Sequence, residues 1–124
     1  MSVQRYTPLL VVLMVVWLGS LSASEAKDQS FTLAIQNRKV TGDVHTIRVQ
    51  QGDRVMIHWT TDETVTIHLH GYDIEQVVQP GTPAVFDFKA YATGRFPVVA
   101  HGFGAHGHGQ SHRETPLVYV EVRP

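Results

Sequence analysis

The chain has 124 residues, enough for one domain. Ten basic residues stand against eleven acidic ones, and a formal charge of −1 offers no cationic surface to nucleic acid or an anionic membrane. It contains no cysteine, which excludes disulfides, thiolate nucleophiles and thiolate metal ligands together.

The first segment reads as a secretory leader. Arg5 supplies one positive charge, residues 9–18 form an unbroken apolar run, and small and polar residues follow to Ala26. The run is shorter than the about 20 residues that span a bilayer. Ser24 and Ala26 place the cleavage after Ala26, so residues 1–26 are the expected signal peptide and 27–124 the expected domain. An uncleaved anchor is the alternative. Cleavage removes Arg5 and Glu25 together and leaves the formal charge unchanged.

From there almost every segment alternates apolar and polar residues. Phe31, Leu33 and Ile35 share one face, then Ile47 and Val49, then Val55, Ile57 and Trp59. Val65, Ile67 and Leu69 repeat the pattern, as do Phe86 with Phe88, Phe96 with Val98, and Val118, Val120 and Val122. Period two at this spacing predicts six or seven short strands, each with one buried face. Only residues 72–78 and 90–93 leave room for a turn of helix. The expected class is all-β, a Greek-key two-sheet sandwich or small barrel.

Histidine is the compositional anomaly, with eight in the chain and all of them beyond residue 26. His45 and His58 read as surface polar residues. The other six fall into two windows. His68 and His70 sit two apart on a predicted strand that ends at Gly71, and His101, His106, His108 and His112 lie in a glycine-rich run. Neutral imidazole suits copper, zinc, nickel and iron, with affinity highest for copper. Two imidazoles at i and i+2 on a strand project to the same side, and glycine-rich histidine tracts are a compositional hint of metal binding. A wet strand face and a polar loop would read alike. Because Val65, Ile67 and Leu69 claim the core face, the histidines point away from it. That predicts a metal site at the end of the sandwich, where the strand bends at Gly71. Met56, on a strand face with His58, is a candidate soft donor or simply packing.

Three landmarks, in this order, carry a family resemblance. They are Gln51-Gly52-Asp53-Arg54-Val55 leading to Trp59, His68-Leu69-His70-Gly71-Tyr72-Asp73, and Gly94-Arg95-Phe96-Pro97 running to His101. In these, the chain from Phe31 to Pro124 resembles the cupredoxins, small secreted copper-binding Greek-key sandwiches. Blue-copper members carry a cysteine where Ala100 stands here, so their electron transfer is not implied. The likeness is instead to cysteine-free cupredoxins associated with periplasmic copper binding and handling. It implies His70 and His101, with His68, as metal ligands. His106, His108 and His112 are expected to add weaker sites or to pass the ion on.

The expected function is therefore periplasmic sequestration, buffering or delivery of copper, as Cu(II) or Cu(I), through a histidine-rich site without blue colour. The expected partners are the copper ion and a periplasmic or membrane copper-handling protein, with no nucleic acid and no membrane span after cleavage. Binding should weaken in acid, because protons compete for imidazole near its ordinary value of ~6.5. Catalysis is not expected. A copper brace built on an amino-terminal histidine is excluded if Lys27 is first, and Asp73 and Glu114 form no recognisable acid–base motif. The alternatives are a copper- or zinc-dependent enzyme and a histidine-based, pH-responsive interaction module.

Overall fold

The computed structural model describes residues 25–104 and 115–124. Nine strands run through them: β1 (Asp28–Gln36), β2 (Lys39–Val40), β3 (Thr46–Gln50), β4 (Arg54–Thr61), β5 (Val65–Leu69), β6 (Ile74–Val78), β7 (Ala84–Lys89), β8 (Gly94–His101) and β9 (Pro116–Arg123). They form two sheets. One has four strands in the order β2-β1-β4-β7, the other five in the order β3-β9-β8-β5-β6. Both are mixed, with β1 parallel to β4 and β3 parallel to β9. The expected all-β sandwich is present.

Alternation builds it. Val65, Ile67 and Leu69 are fully buried while Thr66 and His68 are half-buried on the other face, and β4 repeats this with Val55, Ile57 and Trp59. These residues, with Phe86, Val98, Val118 and Val120, form one apolar cluster between the sheets. Burial of such side chains, each contributing ~1.5–3 kcal/mol, is the main favourable term of folding.

Two strands escaped the sequence pattern. β2 has only two residues, and β6 exposes Glu75, Gln76 and Val77 in succession, which erases any period of two. Residues 72–78 were expected to have room for a helical turn; they instead carry an edge strand. No helix occurs among the described residues, so residues 90–93 hold none either.

The bend after β5 is fixed by Gly71 at φ +86°. A Cβ there would overlap the Phe96 ring, so the position accepts only hydrogen. Phe96 in turn packs edge-on against Tyr72, whose hydroxyl donates to the Ala92 carbonyl at 2.8 Å and accepts from the Ala92 N–H at 3.1 Å. Burial pushes the Tyr72 phenol above its ordinary value.

Candidate metal centre

Three of the six clustered histidines meet. Each of His68, His70 and His101 offers one ring nitrogen such that the three nitrogens lie within 4.8 Å of one another. Among the described residues this is the one such group of three or more metal-ligating side chains.

Backbone register explains the meeting. β5 pairs antiparallel with β8, setting Thr66 opposite His101, Ile67 opposite Ala100, His68 opposite Val99 and Leu69 opposite Val98. Partners across a ladder face the same way, so Thr66, His68, Val99 and His101 share the outward face. His101 is thus diagonal to His68. The ladder continues past β5 with the His70 N–H donating to the Pro97 carbonyl at 3.1 Å, which anchors the backbone that carries the second imidazole. The His68 and His70 rings lie 4.1 Å apart between centroids, and those of His68 and His101 6.1 Å.

The site therefore lies on the outer face of the five-stranded sheet, and not at the end of the sandwich as the sequence suggested. The strand has no need to bend for ligation: the three imidazoles already project from two adjacent strands. His68 is also more central than expected, since it touches both other rings, whereas His70 and His101 were read as the main pair.

Chain beyond β8 is tied back toward the same strand. The Gly104 N–H donates to the Thr64 carbonyl at 2.9 Å. Arg38 makes two hydrogen bonds to Glu63, at 3.1 and 2.9 Å, and its guanidinium stands 5.2 Å from the Phe103 ring centre. These contacts hold the segment that follows His101 against the start of β5.

Two carboxylates border the imidazoles on the β6 side. Asp73 Oδ1 is 3.6 Å from His68 Nε2, too long for a direct hydrogen bond but close enough to attract a charged or metal-bound ring. Glu75 faces His68 across the β5–β6 ladder. On the other side, Val99 is only 3% exposed although it faces outward, and gives the site a dry apolar flank. Three neutral nitrogens with acidic neighbours suit a divalent ion of the copper or zinc type.

The other candidates lie elsewhere. Met56 and His58 are on β4, in the four-stranded sheet, so neither can join the triad. His45 is exposed and lies 3.0 Å from Asp43. His106, His108, His112 and Glu114 fall outside the described residues. Ala100 packs against the core opposite Ile67, so position 100 and the histidines occupy opposite faces of one sheet.

No protein-family model matches the chain, and no curated protein matches it by sequence. Solved structures do share its fold. A chain of a haem-copper terminal oxidase dimer matches with a TM-score of 0.59 and 23% identity, over 77% of this chain and 65% of that one. The blue copper oxidase from Nitrosomonas europaea matches with a TM-score of 0.57 and 18% identity, over 78% of this chain and 39% of its own. The copper nitrite reductase from the same organism gives 0.56 and 16%, over 78% and 42%. The chain thus spans less than two thirds of the length of each. The architecture is cupredoxin-like.

Proposed function

We propose that the chain is a periplasmic copper-binding protein that sequesters, buffers or delivers copper and catalyses no reaction. The observation that carries this reading is the convergence of His68, His70 and His101 to within 4.8 Å. Three imidazoles hold Cu(II) in a tetragonal arrangement, and two nearly opposed nitrogens accept Cu(I). The fold's likeness to copper proteins supports copper over zinc, as does the affinity order of imidazole sites. Without a thiolate the ion gives no intense absorption near ~600 nm. The absence of a cysteine makes a rapid electron carrier a poor fit, because a change of oxidation state would rearrange the ligands.

The test is titration of the protein with Cu(II), Cu(I) and Zn(II), followed by electron paramagnetic resonance and optical absorption. One tightly held Cu(II) per chain with nitrogen hyperfine structure is expected, weakened and altered in its spectrum in His70→Ala. If copper binding is unchanged when both His70 and His101 are replaced by alanine, the triad is not the site.

A further inference from the structure

Asp53 is the one charged or polar side chain buried among the described residues, at 1% exposure. Its carboxylate accepts three N–H groups: Lys27 N at 3.0 Å on Oδ1, and Gln50 N at 3.0 Å and Gln29 Nε2 at 3.5 Å on Oδ2. Among the described residues it forms no ion pair with a side-chain cation. Its backbone joins the same knot, with the Ala90 N–H donating to the Asp53 carbonyl at 2.8 Å and the Arg54 N–H to the Lys27 carbonyl at 2.9 Å. Its hydrogen bonds come from neutral donors, and the exposed Lys27 side chain acts on it only through its charge. A shielded anion so held gains from a cation in direct contact.

One of the two shortest donors, at 3.0 Å, is the nitrogen on the far side of the expected cleavage point. We propose that Asp53 is the receptor for the chain's own mature amino terminus, with Lys27 as the first residue after removal of the leader. Hydrolysis by an exported signal peptidase breaks the Ala26–Lys27 peptide bond. Water gives its hydroxyl to the Ala26 carbonyl carbon and its proton to the Lys27 nitrogen, which takes a further proton from solvent below its ordinary value of about 8. The hydrogen bond from Lys27 then becomes an ion pair of an α-ammonium with a shielded carboxylate, at the point where β1 enters the sheet. This role does not depend on metal binding.

The Lys27 side chain acts on Asp53 through its charge, and the other charges around the knot leave the α-ammonium as the cation in direct contact. Arg54 is bound to Asp87, Arg123 to Glu121, and Lys89 stands opposite Arg54 on the neighbouring strand. Asp28 and the Lys27 side chain are exposed. Hydrogen bonding from Lys27 already holds the Asp53 carboxyl below the usual range. Ion pairing raises the folded-state pKa of the amine. Its stabilisation is therefore complete below about pH 8 and is lost as pH rises through that higher value.

The test exports the full chain from a bacterial host, in chelator, alongside a variant with one serine inserted between Ala26 and Lys27. Intact mass should show Lys27 as the first residue of the unmodified protein. Urea unfolding at pH 7 should show the insertion raising the unfolding constant about tenfold for each unit by which the pair raises the amine pKa, with the gap closing by about pH 10.5. Asp53→Asn should abolish the gap at pH 7. Where that variant does not fold, the pH profiles of the other two proteins decide. A different first residue, or a gap that is absent at pH 7 or persists unchanged to high pH, overturns the proposal.

Discussion

His101 stands across the β5–β8 ladder from Thr66, and so one diagonal step from His68. This makes His68 the middle of the group, in ring contact with His70 at 4.1 Å and with His101 at 6.1 Å. His68→Ala should therefore cost Cu(II) affinity most, by at least about a hundredfold, since loss of a mere supporting group costs about ten- to a hundredfold. His70→Ala and His101→Ala should each cost less. Competition against a chelator of known affinity ranks the three. An equal or smaller loss for His68 would remove it from the centre.

Asp73 and Glu75 place negative charge beside His68. They should favour a doubly charged ion over a singly charged one. Asp73→Asn combined with Glu75→Gln is expected to weaken Cu(II) by about three- to tenfold, a modest figure because Asp73 is fully exposed, and to leave Cu(I) nearly unchanged. Paired titrations with chelators for each oxidation state check this. Equal weakening of both would mean that the carboxylates only shape the site.

Gly71→Ala tests the bend that follows the site. The new methyl would lie against Phe96 Cδ1 and Cε1 while the backbone holds φ +86°. Overpacking and left-handed strain together should cost about 1–3 kcal/mol in urea unfolding. Gly71→Ala in a Phe96→Leu background should recover part of that loss, because the ring edge is what the methyl meets.

Asp53 contributes to the acid sensitivity of the fold, beside the more exposed Asp87 and Glu121, whose carboxyls are held low by Arg54 and Arg123. Hydrogen bonds from Lys27, Gln50 and Gln29 hold the Asp53 carboxyl below the ordinary value, against the opposing effect of burial. A depressed folded-state value contributes stability above the unfolded pKa of about 3.9 and loses it as pH falls through the lower folded one. Asp53→Asn should cost about 1–3 kcal/mol at pH 7 and flatten the loss of stability below pH ~4. Urea midpoints from pH 2 to 7 in both proteins read this directly.

Much of this was legible in the sequence because apolar alternation carries its own geometry. Val65, Ile67 and Leu69 fix the inward face of β5 and thereby the outward direction of His68. β6 was hidden because an edge strand can leave Glu75, Gln76 and Val77 all exposed. The site's position was misjudged for another reason. Alternation tells which way a residue faces, but not which residue stands opposite it. Only the β5–β8 register, with Ile67 facing Ala100, brings His101 beside His68. The landmark glycines were easier to read: Gly71 needs its positive φ and open space at once. The partner of Asp53 could not be read, since Lys27 and Asp53 are far apart in the chain and joined only by the pairing of β1 with β4.

The diagonal placement of ligands on two neighbouring strands has a mechanical consequence. A one-residue slip of β8 along β5 would turn His101 to the opposite face of the sheet from His68. An ion gripped by both strands therefore acts as a rivet through the ladder and selects a single register. At a free concentration a hundredfold above its dissociation constant, such a rivet holds the sheet closed by about 2.7 kcal/mol. Loading would then show less as a change of shape than as slower hydrogen exchange along two adjacent strands.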